Sequence, residues 1–393
     1  MKEGWTYKKL GEVFKTYAGG TPSKANKANY INGTIPWLRS GEVCKKYITE
    51  SELYISEEGL RNSSAKYYPI NTVLIAMYGA TAAQCGILKF EATSNQAVCG
   101  VLPQKNFLPE FVYSYFVYIK DALAAQAQGG AQPNISQEKI KNVYFPCIPL
   151  SEQKLIVSRL DAAFSHIDEL KANAKKQLSE ARALFQKSLA KAMEPKEGWE
   201  EKKLIEITHD NCPISYGIVQ QGDHIDGGIP VVRPVDMREK YITRENLKCT
   251  TQTISDSYKR TILRGDELLL SVRGTTGIIS LATPELKGCN VNRGIVPLYF
   301  KDQINKDFLY YEMVSPLLQS VFAEKTTGST LKQINIKDLR LIKLSLPPLS
   351  EQQRIVERLD ALSAHVRELE ENQKKIISEC DALKQALLRK VFE

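Results

Sequence analysis

Late in the chain, apolar residues recur at alternating intervals of four and three. They are Ile355, Leu359, Leu362, Val366, Leu369, Ile376, Leu383 and Leu387, with Gln373 and Cys380 filling the two remaining places. The same rhythm runs earlier through Ile156, Leu160, Ala163, Ile167, Leu170, Ala174, Gln177, Ala181 and Leu184. A sustained heptad stripe needs a second helix against it. The pattern predicts two helices of about 40 residues, each about 60 Å long at roughly 1.5 Å per residue. Ser151 and Ser350 are the expected N-caps, each followed by a glutamate where the helix dipole favours an anion. Pro195 is the expected stop for the first helix. Small residues in the first stripe (Ala163, Ala174, Ala181) suit larger partners in the second, so the expectation is an intramolecular antiparallel coiled coil. A parallel homodimer is the alternative.

Outside these stretches the pattern changes. Short apolar runs bounded by Gly, Asn and Pro predict strands at 72–77, 98–102, 267–272 and 295–300. A helical stretch follows each pair, at 110–128 and 307–325. Phe111, Tyr115 and Phe116 in the first of these read as core rather than base-stacking groups. The class is α+β, or mixed α/β.

An internal repeat organises the chain. PLSEQKLIVSRLDAAFSHIDEL, starting at Pro149, aligns with PLSEQQRIVERLDALSAHVREL, starting at Pro348. About half the positions in this stretch and its continuation are identical, far above chance. Upstream the repeat is fainter. KEGW at 2–5 recurs at 196–199, IPWLR at 35–39 becomes IPVVR at 229–233, and Tyr47-Ile48-Thr49 recurs as Tyr241-Ile242-Thr243. The expected organisation is a domain at 1–148, a coiled-coil helix at 149–194, a second domain at 195–347 and a second coiled-coil helix at 348–393. The two domains have diverged far more than the two helices.

Composition narrows the class. The 393 residues carry a net charge of +8 and a pI near 8.9, which by itself reads first as a mildly basic soluble protein and second as a nucleic-acid binder. The eight cysteines form no C-x-x-C pair and no secreted disulfide framework, so reduced thiols in a cytoplasmic setting are expected. No apolar signal peptide and no run of about 18 apolar residues is present. A G-x-x-x-x-G-K-[ST] phosphate loop, a G-x-S-x-G elbow, an H-E-x-x-H pair and an aminomethyltransferase-type [ND]-P-P-Y tetrapeptide are all missing. His166 and His365, one per helix, read as interhelical hydrogen bonders rather than metal ligands. Asp223-His224-Ile225-Asp226 reads as a polar loop. The chain looks like a reader without catalytic machinery.

Candidate reading surfaces are loops rich in Gly, Thr, Asn, Gln and Arg: YGATAAQCG, TSNQA, GGAQPN, SVRGTTG, NVNRG and TTGST. Such loops bring backbone close to a polyanion. In the major groove Arg reads guanine, and Asn or Gln reads adenine, through paired hydrogen bonds. Each loop taken singly reads equally as an ordinary Gly-containing turn, and only together with the basic charge do they favour DNA reading.

Two divergent domains, each followed by an I-P-L-S-E-Q or P-P-L-S-E-Q helix opening and an R-L-D triplet (Arg159-Leu160-Asp161, Arg358-Leu359-Asp360), resemble the specificity (S) subunit of type I restriction–modification enzymes. The starts Gly4-Trp5…Leu10 and Gly198-Trp199…Leu204 strengthen the likeness, which spans essentially the whole chain. The resemblance implies two target-recognition domains, each reading half of an asymmetric bipartite site in double-stranded DNA. It also implies that the helices space the half-sites and dock two methyltransferase (M) subunits, with restriction (R) subunits joining through them. S-adenosylmethionine would then sit on the M partner, and ATP and Mg on the R partner, with no cofactor, metal or catalytic residue in this chain.

Repeat-related placement in the Gly-rich loops selects the expected DNA contacts. They are Arg39, Tyr78, Thr81, Asn95 and Gln96 in the first domain. Arg233, Arg273, Thr275, Thr276, Asn292 and Arg293 are their counterparts in the second. Asn95 and Asn292 equally suit turn caps. The expected coil interface is Ile156, Leu160, Ile167, Leu170 and Leu184 against Ile355, Leu359, Leu362, Val366, Leu369, Ile376 and Leu383. Two rival readings stay open at this point: a structural coiled-coil protein with two sugar- or peptide-binding domains, and an enzyme whose site the sequence does not reveal.

Overall fold

Alternation along one strand decides how the first domain is built. In Val73–Ala76, Val73 and Ile75 enter a core with Phe111, Tyr115, Phe116 and Phe145, while Leu74 and Ala76 enter another with Leu38, Ile48, Tyr68 and Val98. A strand buried on both faces must be apolar throughout, hence V-L-I-A. The computed structural model describes residues 2–126, 134–329 and 331–393. The chain divides into two units: Met1–Lys175 with Lys374–Glu393, and Lys176–Gln373. Residues 127–133, which include most of the GGAQPN loop and the end of the expected helix at 110–128, lie outside the described residues, as does Thr330 of the TTGST loop.

In unit 1, Val73–Ala76 is the middle of a five-stranded sheet ordered Thr16–Ala18, Val98–Val101, Val73–Ala76, Cys85–Leu88 and Tyr47–Ile48. Its pairs are antiparallel except the last, which is parallel. A three-stranded sheet places Ile35–Leu38 between Tyr54–Ile55 (antiparallel) and Thr93–Ser94 (parallel). The helix Pro109–Ala125 buries Phe111, Tyr115 and Phe116.

Unit 2 repeats the plan. Leu268–Ser271 sends Leu268 and Leu270 into one core and Leu269 into another, within a four-stranded sheet. Ile229–Val232 lies between Lys248–Thr250 and Asn290–Val291 in a three-stranded one. The single helix expected at 307–325 is instead two, Lys306–Val314 and Pro316–Lys325. Pro316 excludes helical geometry at Ser315, whose ψ is 150°, and the Ser315 hydroxyl caps the second helix by accepting from the Leu318 N–H.

A long helix follows each set of sheets, and each helix is divided between the two units. Leu150–Ala192 has 43 residues and Leu349–Phe392 has 44. Both start one residue before the expected caps, so Ser151 and Ser350 lie inside the first turn. The role at this junction belongs to the glutamines of the repeated PLSEQ. Buried Gln153 donates to the Ile148 and Asn106 carbonyls and accepts from the Leu108 N–H. Buried Gln352 donates to the Pro347 carbonyl and accepts from the Asn305 N–H. Each amide thereby ties a helix start to the domain before it.

In unit 1, Asp168 and Lys171 pair with Lys384 and Asp381 at 2.5 and 2.6 Å. Partner numbers fall as residue numbers rise, so the helices run antiparallel there. In unit 2, Arg182 meets Glu370 at 2.7 Å, while Leu189 and Met193 share a core with Ile355, Val356 and Leu359, again antiparallel.

The facing stripe departs from the expected one on one side. Leu160, Ile167 and Ala174 are buried, as are Ile156, Ile355 and Leu359. The intervening inward positions are Phe164, Lys171, Leu178 and Phe185 on the first helix, and Ser363, Glu370, Ile377 and Lys384 on the second. Leu362 and Val366 are half-buried, whereas Leu170, Leu184, Leu369, Ile376 and Leu383 are exposed. Two bulky phenylalanines and long lysine stems with paired heads fill the seam instead of those leucines. His166 and His365 are exposed and make no hydrogen bond among the described residues, contrary to the interhelical role expected. All eight cysteines are free thiols. Among the described residues no helix is long and apolar enough to cross a membrane.

Candidate nucleic-acid interface

Parallel strand pairing assembles the site. In unit 1, Leu38 lies opposite Ser94, and the Asn95 N–H donates to the Leu38 carbonyl at 2.9 Å. Arg39 and Asn95 therefore leave the sheet side by side. The Asn95 side chain accepts from the Ala97 N–H at 3.1 Å, closing a turn that feeds Val98–Val101 back beside Val73–Ala76. The Met77 N–H donates to the Ala97 carbonyl, which brings the Tyr78–Thr81 turn to the same edge. Tyr78 is exposed, and the Thr81 hydroxyl donates to its carbonyl. Gln96 is exposed and accepts from the Thr21 hydroxyl.

Glycine permits this closeness. A Cβ on Gly19 would stand 2.2 Å from the Ser94 carbonyl oxygen, and one on Gly217 in unit 2 would stand 2.1 Å from that of Val291. Two clefts open at the unit 1 edge. One of about 610 Å³ is lined by Arg39, Cys44, Lys45, Thr49, Glu52 and Asn95, among others. The other, of about 590 Å³, is lined by Thr21, Lys24, Tyr30, Trp37, Leu53, Gln96 and the same Arg39 and Asn95.

Unit 2 builds the same edge, keeping the Arg39, Thr81 and Asn95 types in Arg233, Thr276 and Asn292 but placing Arg273 where Tyr78 stands and Arg293 where Gln96 stands. Val232 lies opposite Val291, and the Asn292 N–H donates to the Val232 carbonyl at 2.9 Å. The Asn292 side chain accepts from the Gly294 N–H at 2.7 Å. The Val272 N–H donates to the Gly294 carbonyl, which places Arg273 beside this turn. Gly274, at φ +83°, donates to the Lys332 carbonyl, and Thr276 shares a 3.0 Å hydroxyl contact with Thr326. Thr275 is exposed.

The arginines fall into two groups. Arg39 reaches Glu52 at 2.7 Å and Glu42 at 3.9 Å. Arg233 makes a two-pronged contact with Asp236 at 3.0 and 2.8 Å. Arg273 and Arg293 meet no carboxylate among the described residues and remain open to an incoming anion or base edge. Asn95 and Asn292 act as turn caps through their oxygens, which leaves the amide NH₂ of each as its donor. Sequence reasoning missed Thr21, Lys24 and Trp37 of the unit 1 cleft; the Gly19-Gly20 pair ahead of Thr21 was the available signal. Asp223-His224-Ile225-Asp226 is a tied loop: His224 contacts Asp226 at 3.1 Å and accepts from the Cys249 N–H. No group of three or more His, Cys, Asp or Glu side chains among the described residues is arranged to hold a metal ion.

A duplicated sheet edge on an α+β domain, each copy followed by a long helix, has a counterpart among known proteins. Residues 2–180 and 196–379 match the type I restriction modification DNA specificity domain, and the chain belongs to that family. The EcoBI specificity subunit of Escherichia coli is 25% identical over 326 residues, covering 77% of this chain and 69% of that protein. The EcoR124I/EcoR124II specificity subunit of Escherichia coli is 34% identical over 167 residues, covering 41% of each. Two solved structures share the fold. A chain from a study of assembly and conformational transition in a type I R-M system has a TM-score of 0.77 at 21% identity, covering 100% of this chain and 98% of that one. The HsdS subunit of Thermoanaerobacter tengcongensis has a TM-score of 0.59 at 20% identity, covering 100% and 97%.

Proposed function

We propose that this chain is the DNA-specificity subunit of a type I restriction–modification complex, each of its two domains reading one half of an asymmetric bipartite site. One observation carries this reading. The same edge is built twice from the same backbone bonds, yet it presents Arg39, Tyr78, Thr81, Asn95 and Gln96 in one unit and Arg233, Arg273, Thr275, Thr276, Asn292 and Arg293 in the other. A shared scaffold that keeps Arg, Asn and Thr but exchanges Tyr78 and Gln96 for Arg273 and Arg293 suits two different half-sites. Base-edge pairing by Arg and Asn supplies specificity, and backbone amides in the Gly-rich turns suit phosphate contacts.

The two long helices act as an antiparallel coiled-coil spacer that joins the domains at 1–148 and 195–347 and sets the gap between half-sites. At about 65 Å each, they exceed one DNA turn of roughly 34 Å. Leu170, Ile376 and Leu383 in unit 1, and Leu184 and Leu369 in unit 2, stand exposed beside the facing stripe. Solvated leucines at heptad spacing suit helices of methyltransferase subunits, two of which dock on the repeated segments, with restriction subunits joining through them. S-adenosylmethionine belongs to the methyltransferase partner, ATP and Mg to the restriction partner, and this chain contributes recognition without catalysis.

The test is DNA binding by the full chain with its methyltransferase partner as salt rises. A specificity subunit gives affinity that falls steeply with salt, and a preferred site that outcompetes random duplex. Salt-independent binding, or none, would refute the reading in favour of the structural coiled-coil alternative.

A further inference from the structure

Both units hold a second repeat-related contact that base reading does not use. In unit 1 the Lys46 ammonium donates to Asp161 Oδ1 at 2.5 Å. In unit 2 the Lys240 ammonium donates to Asp360 Oδ1 at 2.7 Å. Asp161 and Asp360 close the two Arg-Leu-Asp triplets, one on each long helix. Lys46 and Lys240 follow Arg39 and Arg233 by the same seven residues. Their carbonyls accept from the Ile87 and Leu281 N–H groups, so each precedes a sheet-edge strand, Tyr47–Ile48 or Tyr241–Ile242. One short segment in each unit thus begins at the reading edge and ends fastened to a long helix.

The fastening is stronger in unit 2. The Tyr311 hydroxyl also donates to Asp360 Oδ1 at 2.5 Å, and Lys240 lies 3.0 Å from Asp307. Its ammonium sits 4.7 to 5.2 Å from the rings of Tyr241, Tyr310 and Tyr311. Burial disfavours that charge, but hydrogen bonds to Asp360 and Asp307 outweigh it and hold the Lys240 pKa above the usual lysine value. In unit 1, Glu110 stands at the place of Asp307 but is taken by Lys89 at 3.4 Å. Ser114 stands where Tyr311 does, and Lys46 keeps one carboxylate and one ring, Tyr47 at 5.3 Å.

We propose that Lys46–Asp161 and Lys240–Asp360 are positioning pins that fix each reading edge against its long helix and thereby set how sharply the gap between half-sites is discriminated, an inference that rests on the specificity-subunit reading. The pins are not what holds the domains together. Ile156 and Leu160 in unit 1, and Ile355, Val356 and Leu359 in unit 2, bury the helices in the domain cores. Lys46 and Asp161 are both partly exposed, so their pair adds little to stability, and in unit 2 Asp307 stays beside Lys240 when Asp360 is changed; loss of either pin therefore leaves a folded chain with a looser edge.

The test uses the full chain with its methyltransferase partner. Duplexes carry the mapped bipartite site at its native gap, or at a gap one base pair shorter or longer; others carry a single half-site. Lys46→Met and Asp360→Asn are each expected to lower the preference for the native gap by about fivefold, with Asp360→Asn the larger, and to leave half-site affinity unchanged. Lys46→Asp should behave like Lys46→Met, and adding Asp161→Lys should restore the preference. Unchanged gap preference in the single variants overturns the proposal. So does a loss that strikes half-sites and all gaps alike and is not restored by the exchanged pair. Absence of any preferred gap in the wild-type complex would instead strike the specificity-subunit reading.

Discussion

Among the described residues Arg273 enters its loop with no carboxylate to hold it, whereas Arg233, forty residues earlier, is clamped by Asp236. A free guanidinium beside a glycine turn is the group best placed to find a guanine. Arg273→Ala is therefore expected to cost about 1–3 kcal/mol at the second half-site, to relax base preference there, and to leave the first half-site unaffected. Binding to a panel of single-base variants of each half-site checks this; equal loss at both halves would count against the assignment. Another residue of unit 2 bears on pH. Burial pushes the Glu312 carboxyl up to about 8, although the Ser345 N–H, donating at 2.6 Å, opposes that rise. Its other oxygen is buried without a hydrogen bond among the described residues. Because the folded-state value lies above the ordinary carboxylate value, the protonated form contributes stability that is complete below about pH 4.5. That contribution fades as pH rises toward 8, by at most about 1.4 kcal/mol per pH unit. Glu312→Gln keeps an acceptor for Ser345 and removes the charge. The variant's melting temperature relative to wild type should climb between pH 5 and pH 8; a constant difference would mean that Glu312 is not the group that titrates.

At the scale of elements, the exposed leucines of the long helices are the informative departure. Replacing Leu170 and Leu383 by Ser should leave the chain's own melting temperature nearly unchanged, since about half of each residue is already in water. Capture of the methyltransferase partner in solution should weaken by about tenfold or more, which removal of interface leucines commonly brings; unchanged capture would place docking elsewhere. Removing one heptad from each helix keeps the antiparallel pairing in step and should shorten the preferred gap between half-sites; a retained gap would sink the spacer role. The two helices were legible in the sequence because period 3.5 persists over some forty residues, and Leu160, Ile167, Leu359 and Val366 fall on the facing side. The other half of the stripe was not legible. Leu170 and Lys171 are adjacent, and a heptad pattern cannot say which flank turns inward when the larger apolar residue is the one left in water. Likewise, the run at 307–325 read as one helix, and only the geometry that Pro316 imposes on Ser315 divides it. The reading edge was half visible. Repeat alignment marked Arg39, Asn95 and their counterparts, but the parallel pairing of Leu38 with Ser94 that sets them side by side joins segments far apart in the chain. No local pattern announces such a pairing.

At the scale of the whole molecule, duplication explains why one chain serves an asymmetric target. In the proposed function, the helix segments that follow each domain are alike because each meets the same kind of partner, and the two edges differ because each meets a different half-site. The central claim is that this chain alone chooses the sequence that becomes methylated. The most direct test is a base-resolution N6-methyladenine map of a host lacking this modification, carrying the partner methyltransferase gene with and without this chain. The account predicts one bipartite methylated motif that appears only when both are present, with its second half altered by Arg273→Ala. Methylation at the same sites without this chain, or no motif when both proteins are made, would contradict it.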